Sequence, residues 1–311
     1  MSRWTADQIP DQTGRTAVVT GANSGLGLIT ARELARAGAR VVITARDPRK
    51  AESAREAIAG QVGNAELEPR VLDLADLGSV RAFAGEVESR HERLDLLVNN
   101  AGVMMTPRQT TADGFELQLG TNHLGHFALS GLLLAALERG RDARVVTVTS
   151  IEHRPGRIDF DDLQHKHDYS PRGAYQCSKF ANAVFGLELD RRLRAAGLPV
   201  KSVLAHPGYS ATNLQLSGPT GPMKSLLRVT NKLVAQSVER GALPQLYAAC
   251  APDVEGGAFY GPDGFNEMRG HPKRVRPVGR AEDPELGRRL WQVSEELTGV
   301  RYLDVPAAQG A

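Results

Sequence analysis

Cysteine is scarce: the chain has two in 311 residues, Cys177 and Cys250, far apart and in no CxxC pattern. Neither a disulfide framework nor a thiolate zinc site is expected, and a reducing compartment fits. Charge of one sign is also lacking. The net charge is +2, which gives no reason to expect nucleic acid as a partner. No run approaches the roughly 20 apolar residues that span a bilayer, so no integral membrane segment is expected. The opening stretch, MSRWTADQIPDQTGR, is polar and lacks the apolar centre of a secretory leader. These absences predict a soluble, cytoplasmic protein. Eight histidines invite a metal reading, but no HExxH or carboxylate triad accompanies them, so no metal is expected.

What is present is alternation. Short β-rich runs at 16–20, 40–45, 66–74, 94–100, 143–150 and 199–208 are separated by helical patterns at 25–39, 48–60, 76–91, 112–138 and 174–197. GGAFYG near 256–261 reads as a possible seventh strand. Such βαβα alternation predicts an α/β fold with a doubly wound parallel sheet and helices on both faces. The strands are apolar on both sides, as a doubly covered sheet requires. No linker or composition shift divides the chain. One domain is expected, with its core at about 14–261 and a C-terminal extension at 262–311.

The first strand runs directly into TGANSGLG, with glycines at 21, 25 and 27. Glycine permits a tight turn and lets backbone approach a pyrophosphate, and a helix N-terminus behind it offers free N–H groups. NNAG (99–102) follows the fourth strand, and YQCSK places Tyr175 and Lys179 four apart on one helix face.

TGxxxGxG, NNAG and YxxxK in this order resemble the short-chain dehydrogenase/reductase family, over about 14–261. NHLGHF, AYxxSKxAN and HPG further resemble its retinol-dehydrogenase-like branch. The resemblance implies a Rossmann-type fold and hydride transfer between an alcohol and an aldehyde or ketone. It implies Tyr175 as acid/base, with Lys179 as its electrostatic partner. A free tyrosine, with a pKa near 10, suits neutral pH poorly, and a cation one helical turn away favours the phenolate. Ser150, at the end of the fifth strand, matches the family's substrate-orienting serine, with Thr149 as the alternative. Asn122 matches an asparagine that holds a water in a proton relay. Family members are often dimers or tetramers through the helices that here span 112–138 and 172–196, so a homodimer or homotetramer is possible.

The same resemblance assigns cofactor contacts. Gly21, Asn23, Ser24, Gly25, Leu26 and Gly27 form the turn. Asp73 and Leu74 sit at the adenine. Asn99, Ala101 and Gly102 flank the adenosine ribose, Tyr175 and Lys179 reach the nicotinamide side, and Pro207, Gly208 and Thr212 lie near its amide. At the end of the second strand, NAD selectivity usually needs a carboxylate. The sequence there is TARD: Ala45 takes the acidic position and Arg46 follows. An arginine suits the 2′-phosphate of NADP, while Asp47 keeps NAD possible. Residues 208–235, with Leu214, Leu216, Met223, Leu226 and Leu227, are expected to cover a lipophilic substrate or to pack as plain core. Two other functions would suit the same fold. A sugar-nucleotide epimerase usually carries GxxGxxG, which is missing. A silent dinucleotide-binding protein would not need Tyr175, Lys179, Ser150 and Asn122 together.

Overall fold

A computed structural model describes residues 3–209 and 236–304. Thr212 and the apolar residues between 210 and 235 lie outside the described residues. In chain order the strands are β1 (Thr16–Val19), β2 (Arg40–Ala45), β3 (Leu67–Val71), β4 (Leu96–Asn99), β5 (Arg144–Val148), β6 (Lys201–Ala205), β7 (Phe259–Pro262) and β8 (Pro272–Val275). They form one sheet of order β3-β2-β1-β4-β5-β6-β7-β8. Every neighbouring pair is parallel except β7 with β8.

The sheet thus has eight strands where the sequence predicts about seven. The additional strand lies in the Pro-, Gly- and Arg-rich stretch after 262. Among the described residues it is a short edge strand paired with β7 alone, so its own residues carry little strand pattern.

Helices cover both faces because strand side chains alternate and both sets are apolar. Ala17 and Val19 pack with Leu34 of α1 (Gly25–Arg36), Ile58 of α2 (Pro48–Ala59) and Leu246 of α8 (Val238–Cys250). Val18 points the other way. Its cluster holds Phe83 of α3 (Leu77–Arg90), Phe127 of α5 (Gly125–Leu132), Phe185 of α7 (Pro171–Ala195) and Trp291 of α9 (Pro284–Thr298).

The helical pattern expected at 112–138 is not one regular helix. A single turn at Leu117–Leu119 (α4) runs into a π-turn at Gly120–Leu124, then α5, then α6 (Leu134–Glu138). Helices α8 and α9 lie where the periodicity predicted none, although the ends of α9 are marked in the sequence. The Asp283 side chain caps its first turn, Pro284 opens it and Gly299 closes it at φ 64°.

Strand order reverses between β1 and β4. In open α/β sheets that is where ligands bind, beyond the C-terminal strand ends.

Candidate active site

A cleft of about 1100 Å³ opens at this reversal. One wall is the turn after β1. Gly21 and Gly25 have positive φ, 64° and 55°, a conformation glycine adopts without cost. Ser24 is the N-cap of α1, yet its side chain makes no capping bond, so the first-turn N–H groups remain available to an anion. Asn23, Ser24, Gly25, Leu26 and Gly27 all line the cleft.

Gly27 is there for close packing. A Cβ at this position would lie 2.5 Å from the Gly21 carbonyl oxygen and 2.6 Å from Asn100 Nδ2. Gly27→Ala is therefore expected to cost about 1–3 kcal/mol of stability by overpacking and to weaken dinucleotide binding. Thermal unfolding and a fluorescence titration would check this; unchanged values in both would show that the turn yields freely.

Arg46 lines the cleft just beyond β2, whose last residue, Ala45, is buried. Asp47 lines it too, but its Oδ1 accepts the Arg49 N–H at 2.9 Å and caps α2. Lys50 and Ser53 of α2 share this wall; their signal in sequence is their place one and two turns into the helix behind TARD. Asp73 and Leu74 line the cleft after β3.

On the β4 side, Asn100, Ala101 and Gly102 line the cleft. Asn99 is fully buried, and its side-chain amide donates to Ser130 Oγ at 3.0 Å. The neighbouring asparagine takes the exposed position. Asn100 donates to the Thr20 carbonyl at 2.8 Å and ties this loop to the glycine turn. Strand alternation explains the exchange: successive side chains at the end of β4 point to opposite faces.

Gly102 joins the cleft to a second group of polar residues. A Cβ on Gly102 would lie 3.0 Å from Asn122 Oδ1 and 3.6 Å from Lys179 Nζ. Tyr175 and Lys179 share one face of α7, and Lys179 Nζ is 6.0 Å from the Tyr175 ring centre. Both are almost fully buried. Burial pushes the Tyr175 phenol up to about 12, against a lowering hydrogen bond with Ser150. Burial likewise pushes Lys179 down to about 8. Desolvation thus outweighs the phenolate-favouring effect expected from a lysine one turn away. Lys179 Nζ donates to the Val148 carbonyl at 3.2 Å.

The two candidate hydroxyls beyond β5 separate cleanly. Thr149 Oγ1 donates to the Lys179 carbonyl at 2.7 Å and is buried. Ser150 is partly exposed, accepts the Glu152 N–H at 3.2 Å and bonds the Tyr175 phenol. Asn122 lies in the π-turn with its side chain fully committed. Its Oδ1 accepts from Val103 N at 2.8 Å, and its Nδ2 donates to Val103 O and Ser178 Oγ, each at 2.9 Å.

Pro207 and Gly208 follow β6. Gly208 has φ 63°, and a Cβ there would meet the Met268 carbonyl oxygen at 2.4 Å. Among the described residues no group of His, Cys, Asp and Glu could hold a metal, no helix is long and apolar enough to cross a membrane, and both cysteines are free and buried.

Comparison with known proteins identifies the family. Residues 15–219 match the short chain dehydrogenase family, and the chain belongs to it. It is 44% identical to polyprenol dehydrogenase from Mus musculus, over 94% of this chain and 86% of that one. It is 42% identical to retinol dehydrogenase 13 from Homo sapiens, over 92% and 85%. The crystal structure of an uncharacterized protein from Mycobacterium paratuberculosis is 45% identical, with a TM-score of 0.80, covering 96% of this chain and 98% of that one. The protein is therefore an oxidoreductase acting on CH–OH groups, of a family that binds NAD(P) and small-molecule substrates.

Proposed function

We propose that the enzyme interconverts a lipophilic alcohol and its aldehyde or ketone with NADP(H), and that Tyr175 handles the proton. The observation that carries this is the group of buried Tyr175 and Lys179 with partly exposed Ser150, joined through Gly102 to the cleft. When bound, the nicotinamide cofactor supplies or accepts the hydride. The phenol of Tyr175 gives its proton to the carbonyl oxygen on reduction and takes it back on oxidation. Ser150 donates to the same oxygen and orients it. Lys179, held by the Val148 carbonyl, stabilises the phenolate as it forms and reaches the ribose. Asn122 ties the loop after β4 to α7 through Val103 and Ser178. The glycine turn would take the pyrophosphate, Asp73 the adenine amine, and Ala101 the adenosine ribose.

The lipophilic substrate is supported by the relatives, which are named for polyprenol and retinol, both apolar alcohols. A panel of alcohols and carbonyls of increasing chain length, followed by nicotinamide absorbance, tests it. Specificity (kcat/KM) should rise with apolar size; a preference for short, polar substrates would overturn it.

The choice of NADP rests on Arg46. No carboxylate stands at Ala45 to repel the 2′-phosphate, and the nearest in sequence, Asp47, is engaged in capping α2. A charge-assisted contact is worth about 1.5–3 kcal/mol, or roughly ten- to a hundredfold in affinity. Arg46→Ala is expected to weaken NADPH by that factor and leave NADH nearly unchanged. Ala45→Asp should go further, because it repels the phosphate and accepts from a free ribose hydroxyl. Equal weakening of both cofactors by Arg46→Ala would show that this arginine does not read the phosphate.

A further inference from the structure

Three fully buried histidines surround the proposed site, and the mechanism above uses none of them: His126, His153 and His206. A buried imidazole is costly unless both ring nitrogens find partners. Those partners reveal which nitrogen carries the proton.

His126 Nδ1 lies 2.9 Å from the Asn122 carbonyl oxygen. A carbonyl only accepts, so Nδ1 is the protonated nitrogen. Its Nε2 lies 2.9 Å from Thr20 Oγ1. That hydroxyl already accepts the N–H groups of Asn100 and Ala101, each at 2.9 Å; its one hydrogen has two acceptors in reach, Nε2 at 2.9 Å and the Val98 carbonyl at 3.3 Å, and Nε2 is the nearer. Burial pushes His126 down to about 4, and the Lys179 charge adds to this, so the ring is neutral and held in one tautomer.

His153 repeats the arrangement on a different element. Its Nδ1 lies 2.6 Å from the Ser150 carbonyl oxygen, and its Nε2 accepts the Val278 N–H at 3.3 Å. Burial pushes it down to about 4; His206 and Arg154 add to the lowering, and Glu267 opposes it. His206 is built the other way. Its Nε2 donates to the Glu267 carboxylate at 2.9 Å, and its Nδ1 accepts the Gly208 N–H at 3.2 Å.

We propose that His126 and His153 are positioning residues: each spends its Nδ1–H on the backbone carbonyl of a residue in the proton-handling site, Asn122 and Ser150 respectively. The His126 bond fixes the peptide of the π-turn and, through Thr20, couples it to the loop after β4. The Ser150 carbonyl accepts the His153 backbone N–H at 3.0 Å, which closes the short turn Ile151–His153; the imidazole adds a second donor to that oxygen and so sets the direction from which the Ser150 hydroxyl meets Tyr175. An aromatic residue of similar size would fill either space, but it would offer the carbonyl no side-chain donor. The inference rests on the roles proposed above for Ser150 and Asn122.

Asparagine and glutamine separate this from simple packing. An asparagine amide reaches the place of Nδ1 and keeps the donor to the carbonyl. A glutamine amide reaches the place of Nε2 and loses it. His126→Gln and His153→Gln are expected to lower kcat by about three- to tenfold, the worth of one neutral hydrogen bond, at unchanged dinucleotide affinity. His126→Asn and His153→Asn should stay near wild type in kcat. Equal losses within each Asn/Gln pair would overturn the proposal. Nitrogen NMR of the wild-type histidine rings gives a reading independent of activity and of whether the variants fold. Both rings should show the Nδ1–H tautomer and no titration near the free-histidine value of about 6.5; an Nε2–H tautomer, or titration there, would overturn it. Ser150→Ala is the control on the underlying reading. Normal turnover in that variant removes the role of Ser150, whatever the ring tautomers are.

Discussion

Tyr175→Phe is expected to cut turnover by about 10²- to 10⁴-fold, the range for loss of a general acid, and to leave dinucleotide affinity nearly unchanged. The ring stays, so the packing of α7 against the sheet stays with it. What goes is one hydroxyl, its bond to Ser150 and the proton it carries. Lys179→Met should differ in kind. It removes the ammonium beside both the phenol and Gly102, so turnover and dinucleotide affinity should both fall. Steady-state rates with a parallel fluorescence titration distinguish the two outcomes; near-normal turnover by Tyr175→Phe would remove the assignment. The state of Tyr175 also sets a direction. With burial pushing it up to about 12, the phenol is protonated at neutral pH, the form carbonyl reduction consumes. Reduction should be flat through neutrality, while alcohol oxidation, which needs the phenolate, should climb with pH.

The second large effect is loss of stability in mild acid. His123, His126 and His153 are buried, and desolvation pushes them down to about 3, 4 and 4. In the folded chain they stay neutral, whereas in the unfolded chain they take up protons below about pH 6.5. Their contribution is therefore fully present above pH 6.5 and is lost as pH falls from there toward 4. Each group can cost up to about 1.4 kcal/mol per pH unit. Three acting together can remove up to about 6 kcal/mol between pH 6.5 and 5, against a typical total of roughly 5–15 kcal/mol. Denaturant titrations at pH 7, 6 and 5 measure this, above the range where most carboxylates protonate. Equal stability at pH 7 and pH 5 would show that these rings protonate without unfolding.

The parts legible in the sequence are those fixed by local spacing. The strand–turn–helix at TGANSGLG and the four-residue step from Tyr175 to Lys179 are short-range geometry, and a periodic pattern shows them directly. The parts that were not legible depend on tertiary contacts. Asn99 and Asn100 are chemically identical, and only the pleat at the end of β4 decides which faces the cleft. The π-turn at Gly120–Leu124 shifts the register of a pattern that reads as one helix. His126 looks like any polar residue on a helix until Thr20, more than a hundred positions away, is brought to its ring. Helix α9 was different: its Asp-Pro start and glycine stop were visible, but its charged composition hid the single apolar stripe that carries Trp291.

The two edges of the sheet have a consequence for how copies of this chain can meet. Along β3 the even-numbered residues face β2, since Glu66 O accepts from Val41 N and Leu72 N donates to Ala45 O. Pro69, at an odd position, therefore stands on the open side. On β8, the His271 carbonyl accepts from Asp263 N, so in the antiparallel register Pro272 stands on the open side as well. Each border of the sheet thus presents a residue with no N–H to offer, with Glu68 and Arg70 beside one and Lys273 and Arg274 beside the other. Proline and charge at an edge block the addition of a foreign strand. Among the described residues, both borders of the sheet thus oppose its growth into a neighbour, which guards against fibrous aggregation.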